Sequence, residues 1–117
     1  MAEDLIRRLE ELVSKYDFMF SDFVEKYKTE FPKSTLILFG SRGRGTNRPS
    51  SDFDLLSIFE RVEDRFLLAS KILSLSPFLP IDIIVITKDE LKERIIMQML
   101  KEGCKSVYDG LSLNLCK

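Results

Sequence analysis

The chain contains no histidine and no tryptophan, only two cysteines, and no apolar run long enough to cross a bilayer as a helix. Each absence removes a class of chemistry. Without imidazole there is no histidine-activated nucleophile, and most zinc sites are excluded. Carboxylates remain as the natural metal ligands. Cys104 and Cys116 do not form a CxxC pair, so they are expected to stay reduced and to pack as small apolar side chains. The net charge is −1, and the basic residues are not massed along one element. No extended grip on nucleic acid is expected. The start, Met1-Ala2-Glu3-Asp4, is acidic and lacks the shape of a signal peptide. The expected location is therefore the cytoplasm, with no membrane association.

What is present suits one soluble domain spanning residues 1–117, with 44% apolar and 32% charged residues. Apolar residues recur at helical spacing from Asp4 to about Tyr27: Leu5, Leu9, Leu12, Val13, Tyr16, Phe20, Phe23, Val24 and Tyr27. The spacing predicts one long helix, with a break near Asp17 allowed, ended by Pro32. Thr35–Phe39, Phe53–Phe59 and Ile81–Ile86 read as strands. A helix is expected over Glu63–Leu75, with Phe66, Leu67, Ala69, Ile72 and Leu73 on its buried side. Another is expected from the capping box Thr87-Lys88-Asp89-Glu90 to about Lys101, stopped by Gly103. Ser106–Tyr108 is a candidate last strand, and the alternating Leu111, Leu113 and Leu115 allow an extended tail. The order α-β-α-β-α-β-α predicts an α/β fold, with helices packed against a sheet.

The chemistry concentrates between residues 39 and 55. Phe39-Gly40-Ser41-Arg42-Gly43-Arg44-Gly45 is a Gly-Ser turn with basic residues, and Ser51-Asp52-Phe53-Asp54-Leu55 follows closely. Side chains alternate across a strand, so Asp52 and Asp54 share a face, with Cα atoms roughly 6.5 Å apart. Two carboxylates so placed are unfavourable without cations. Mg²⁺ relieves this, taking one or two carboxylates and completing its shell with phosphate oxygens and water. Asp82 interrupts an apolar strand, where an unpaired carboxylate is costly. If its strand neighbours the Asp52–Asp54 segment, it joins the cluster and can accept a proton from an attacking hydroxyl. Gly40 lets the backbone approach a phosphate, and Ser41 adds its hydroxyl and turn N–H groups. Arg42, Arg44 and Arg48 suit bidentate phosphate contact. The loop lacks Gly-Lys-Ser/Thr, so it is not a Walker P-loop.

Gly40-Ser41, Gly45 and Ser51-Asp52-Phe53-Asp54, with Asp82 in a later strand, resemble the motif of the DNA polymerase beta-type nucleotidyltransferase superfamily. The small size resembles its minimal nucleotidyltransferases, the MNT proteins, over roughly Thr35 to Tyr108. Gly43 departs from the pattern, since alanine is common there. The resemblance implies a two-layer α+β fold with a mixed sheet, ATP as substrate, two Mg²⁺ ions, and transfer of a nucleoside monophosphate to a hydroxyl. It implies that Asp52, Asp54 and Asp82 hold the metals and act in catalysis, while Gly40 and Ser41 hold the triphosphate. It further implies a HEPN-domain toxin as partner, with this chain as antitoxin adding AMP to a toxin tyrosine. Two alternatives remain at this stage: an antitoxin that only masks its toxin, and an enzyme acting on a small hydroxyl compound. Homo-oligomerisation is left open.

Overall fold

The structure is a computed structural model. It describes residues 2–48 and 51–116, apart from the side chains of residues 10 and 12–14. Four strands, β1 (Thr35–Phe39), β2 (Phe53–Phe59), β3 (Ile81–Thr87) and β4 (Lys105–Asp109), form a mixed sheet in the order β3-β2-β1-β4. β1 runs antiparallel to both of its neighbours, β2 and β4, whereas β2 and β3 are parallel. The parallel pair needs a crossover, supplied by helix α3 (Arg65–Leu73). Its N-cap, Asp64, accepts a hydrogen bond from the Leu67 N–H.

Strand alternation divides the core in two. Leu36, Leu38, Phe53, Leu55 and Val85 face helix α1 (Ala2–Glu30) and α3, and they pack around Phe23, Tyr27 and Ile72. Ile37, Leu56, Ile58 and Ile86 face the other way, toward Ile96 of α4 (Arg94–Lys101) and the tail residues Leu111, Leu113 and Leu115. The expected α+β architecture is thus observed, with the second face of the sheet filled by α4 and the tail. The Tyr27 hydroxyl shares a 2.6 Å hydrogen bond with Ser57, which satisfies a polar side chain buried in the middle of β2.

Several local expectations are revised. α1 is unbroken at Asp17. Among the described side chains, those that pack on the sheet lie from Tyr16 onward, and Leu5 and Leu9 of the apolar stripe are more than half exposed. Leu12 and Val13 lie outside the described side chains. In α3, Phe66 is 85% exposed and Leu67 is also exposed; the buried face is Leu68, Ala69 and Ile72. That helix is apolar nearly all round, so periodicity could not select its face. The capping box at Thr87 and Glu90 forms, but it starts only a 3₁₀ turn over Lys88–Lys92. Extended backbone at Glu93 separates that turn from α4. β4 is a full sheet member and adds a final strand to the expected order.

The cysteines, expected to stay reduced, are joined in a Cys104–Cys116 disulfide with Cα atoms 5.5 Å apart. Sequence spacing alone did not show that the tail turns back after β4. The turn is organised by the Asp109 carboxylate, which accepts hydrogen bonds from Leu113 N–H (2.9 Å), Asn114 N–H (3.0 Å) and the Thr35 hydroxyl (2.9 Å). The backbone donors, led by that of Asn114, hold Asp109 below the usual carboxylate pKa. A depressed pKa adds stability that is complete above the ordinary carboxylate range and is lost as pH falls through the lowered value. The wild-type protein should therefore lose more stability than Asp109→Asn on acidification, with equal slopes near neutrality; denaturant titrations across pH check this. Loop-closure entropy for the 12-residue separation predicts that reduction, or Cys104→Ser with Cys116→Ser, costs about 3 kcal/mol of unfolding free energy. Denaturation with and without a dithiol reads that loss.

Candidate active site

The site lies where the C-terminal end of β1 meets the N-terminal ends of β2 and β3. The register places Phe39 opposite Asp54 on one side and Asp82 beside Asp54 on the other. Because β2 and β3 are parallel and in step, Asp54 and Asp82 project from the same face at the same level. The two carboxylates are close enough for the charge of Asp82 to act on Asp54. The Phe53 N–H donates to the Pro80 carbonyl at 2.8 Å and ties the starts of the two strands together.

Asp52 is exposed and sits one residue before β2. It is near enough for its charge to act on Asp54. The Asp54 pKa is raised, first by partial burial and then by the charges of Asp82 and Asp52; Arg44 opposes this weakly. Three like charges therefore converge on one spot. Among the described residues no three carboxylate, thiol or imidazole side chains form a finished metal cage. The donor set still fits Mg²⁺. It is all hard oxygen, it carries uncompensated negative charge, and that ion takes few protein ligands and keeps its waters. Asp54 and Asp82 could hold such an ion directly, with Asp52 at the rim.

Gly40 follows β1 immediately, with φ +65°. A Cβ there would strike the Asp54 carboxylate, so the backbone of the Gly-Ser turn lies directly against it. Helix α2 (Gly40–Arg44) starts at this point, and its N-cap residue, Phe39, makes no side-chain cap hydrogen bond. Ser41 is half-buried within that turn. Gly43 is also a close-approach position, since a Cβ would lie 2.6 Å from the Leu38 carbonyl oxygen.

The arginines divide. Arg44 is exposed and close enough to influence Asp54. Arg48 is exposed, and its backbone N–H donates to the Ser51 hydroxyl; no salt bridge among the described residues joins it to the three carboxylates. Arg42 is only 8% exposed. It stacks on Phe53, donates from Nε to the Ser51 carbonyl and faces Asp17 of α1. The sequence offers Arg42 as a candidate phosphate contact and does not announce this packing. The available signal was Phe53, which alternation turns away from Asp54 and offers as a flat partner for a guanidinium.

No curated protein matches the chain significantly. Solved structures similar to the chain include the following two. One is a candidate nucleotidyltransferase from Sulfolobus solfataricus, with TM-score 0.53 and 25% identity, over 70% of this chain and 76% of that one. The other is a toxin–antitoxin with AMP-PNP, with TM-score 0.52 and 22% identity, over 75% of this chain and 71% of that one. At such identity the second likeness is one of fold. Residues 20–106 match the model of the nucleotidyltransferase domain family. That span holds β1 to β3, the Gly40–Ser41 turn and all three carboxylates, so this chain belongs to the nucleotidyltransferase domain family.

Proposed function

We propose that this protein is a Mg²⁺-dependent enzyme that transfers AMP from ATP to a hydroxyl of a partner protein, as the antitoxin of a HEPN/MNT toxin–antitoxin pair. The observation that carries the proposal is the side-by-side placement of Asp54 and Asp82, with the Gly40 backbone laid against them. Bound magnesium would supply charge neutralisation at the triphosphate and at the leaving pyrophosphate. Asp54 and Asp82 would hold it directly, with Asp52 contributing from the rim. Asp82, at the exposed edge strand, accepts the proton of the attacking hydroxyl. That oxygen bonds to the α-phosphorus while the bond from the α-phosphorus to the bridging oxygen breaks. Gly40 and Ser41 hold the triphosphate through the backbone of the turn, and Arg44 offsets its charge from the exposed end of α2. Arg48 is exposed on the same loop and is available to the outer phosphates.

The near-neutral charge of the chain favours a protein acceptor over a nucleic-acid polymer. The fold likeness to a toxin–antitoxin crystallised with AMP-PNP supports the same reading. The test incubates the protein with α-labelled ATP, Mg²⁺ and the product of the neighbouring gene, with Asp52→Asn plus Asp54→Asn in parallel. Label on the partner that disappears in the double variant supports the proposal. Neutralisation of the partner without label, unchanged in the variant, would show masking instead. Label appearing only on small hydroxyl compounds would overturn the protein acceptor.

A further inference from the structure

We infer that Arg42 is a positioning residue for Asp52, holding the main chain at Ser51 on one side of that carboxylate and the Phe53 ring on the other. The inference rests on the nucleotidyltransferase reading only for its catalytic consequence.

Asp52 is exposed at the entry to β2, outside the sheet. A short acidic side chain in such a place takes its direction from its neighbours, and both neighbours are held by Arg42. On the N-terminal side, Nε donates to the Ser51 carbonyl at 3.0 Å. On the C-terminal side, the guanidinium carbon lies 3.8 Å from the centroid of the Phe53 ring. Phe53 also stacks on Phe20 of α1, with centroids 4.4 Å apart and planes 14° apart. A cation at 3.8 Å and a parallel ring at 4.4 Å cannot share one face of a phenyl ring. Phe53 is therefore sandwiched between Phe20 and Arg42. Asp17 completes the arrangement, 3.7 Å from a terminal nitrogen of Arg42. It is 68% exposed, so this ion pair adds little by itself.

The arrangement demands a planar group with a donor at Nε. A lysine would keep the charge but lose both the stack and the Ser51 hydrogen bond. This separates positioning from phosphate contact, where a lysine serves as a point charge. The guanidinium is turned inward, away from solvent, and Arg44 is the arginine of this turn whose charge reaches Asp54.

The test compares Arg42→Lys and Arg42→Ala with wild type. In metal-free protein, amide hydrogen exchange at Asp52 and Phe53 should accelerate in both variants, while β1 amides stay protected. Metal-free ATP binding should stay within about twofold of wild type, since no phosphate contact is lost. AMP transfer should fall about 100-fold through kcat, the scale expected of a displaced reacting group. Guanidinium ion should restore part of that loss in Arg42→Ala, but methylammonium should not. If Arg42→Ala does not fold, Phe53→Leu removes the stack and should give the same exchange pattern. Unchanged exchange at Asp52 and Phe53, or full activity in Arg42→Lys, overturns the inference. Loss of metal-free ATP binding in both variants overturns it too. Wild-type protein that neither binds ATP nor transfers AMP overturns the enzymatic reading alone, because the exchange measurement still decides the clamp.

Discussion

Asp54→Asn is expected to reduce AMP transfer by at least about 1,000-fold, the equivalent of roughly 4 kcal/mol of transition-state stabilisation. Asp54 is the half-buried member of the cluster; it pairs in register with Asp82 and lies against the Gly40 backbone. The same substitution should not destabilise the metal-free protein. Burial and the charges of Asp82 and Asp52 raise the Asp54 pKa. A carboxylate with a raised folded-state pKa favours the fold most below its unfolded pKa and loses that contribution as pH rises through the folded value. At neutral pH the ionised Asp54 therefore opposes folding, and an amide of the same shape relieves it. Metal binding should run the opposite way with pH, since the raised pKa means that a proton competes with a cation for Asp54. Thermal melts without metal, set beside label transfer, should show stability held or gained while activity is lost. A variant that lost both equally would mean that Asp54 serves the fold rather than the reaction.

Gly40→Ala should lower transfer by about 100-fold, because the new methyl group displaces the Asp54 carboxylate from its working position. It should also cost about 1–2 kcal/mol of stability, since an L side chain is strained at the left-handed φ of this residue. Gly45→Ala separates the two effects. Gly45 has a similar φ of +76°, but a Cβ there meets nothing within 4 Å. It should carry the backbone penalty and keep most of the activity. Equal activity losses in the two variants would point to loosening of the turn rather than a collision at the carboxylate. Steady-state transfer and denaturant unfolding on the pair settle the matter.

These expectations draw unequally on sequence and structure. The strands Thr35–Phe39 and Phe53–Phe59 were legible to the residue, because β-branched and aromatic runs between Gly, Pro and Asp punctuation carry a local signal. α3 was legible as a helix but not in its orientation, and Phe66 faces solvent. The capping box at Thr87 was readable, yet the helix behind it broke at Glu93, where the chain must turn to lay α4 on the sheet. The tail was the least legible part. Its path depends on Asp109 collecting the N–H groups of Leu113 and Asn114, and the disulfide follows from that turn. No pattern in residues 105–116 announces a capping carboxylate.

What the sequence determined by itself is what local chemistry can specify: a glycine at the end of an apolar strand, a serine after it, and two aspartates one residue apart. Strand alternation assigns the side of Asp54, whereas Asp52 precedes β2 and takes its direction from the fold. The partner of Asp54 was settled only by tertiary structure, through a parallel pairing in which β3 meets β2 in step, 28 residues on. The fate of Arg42 was settled there too, because a stack on Phe53, itself backed by Phe20, brings together three segments that only the folded chain makes neighbours.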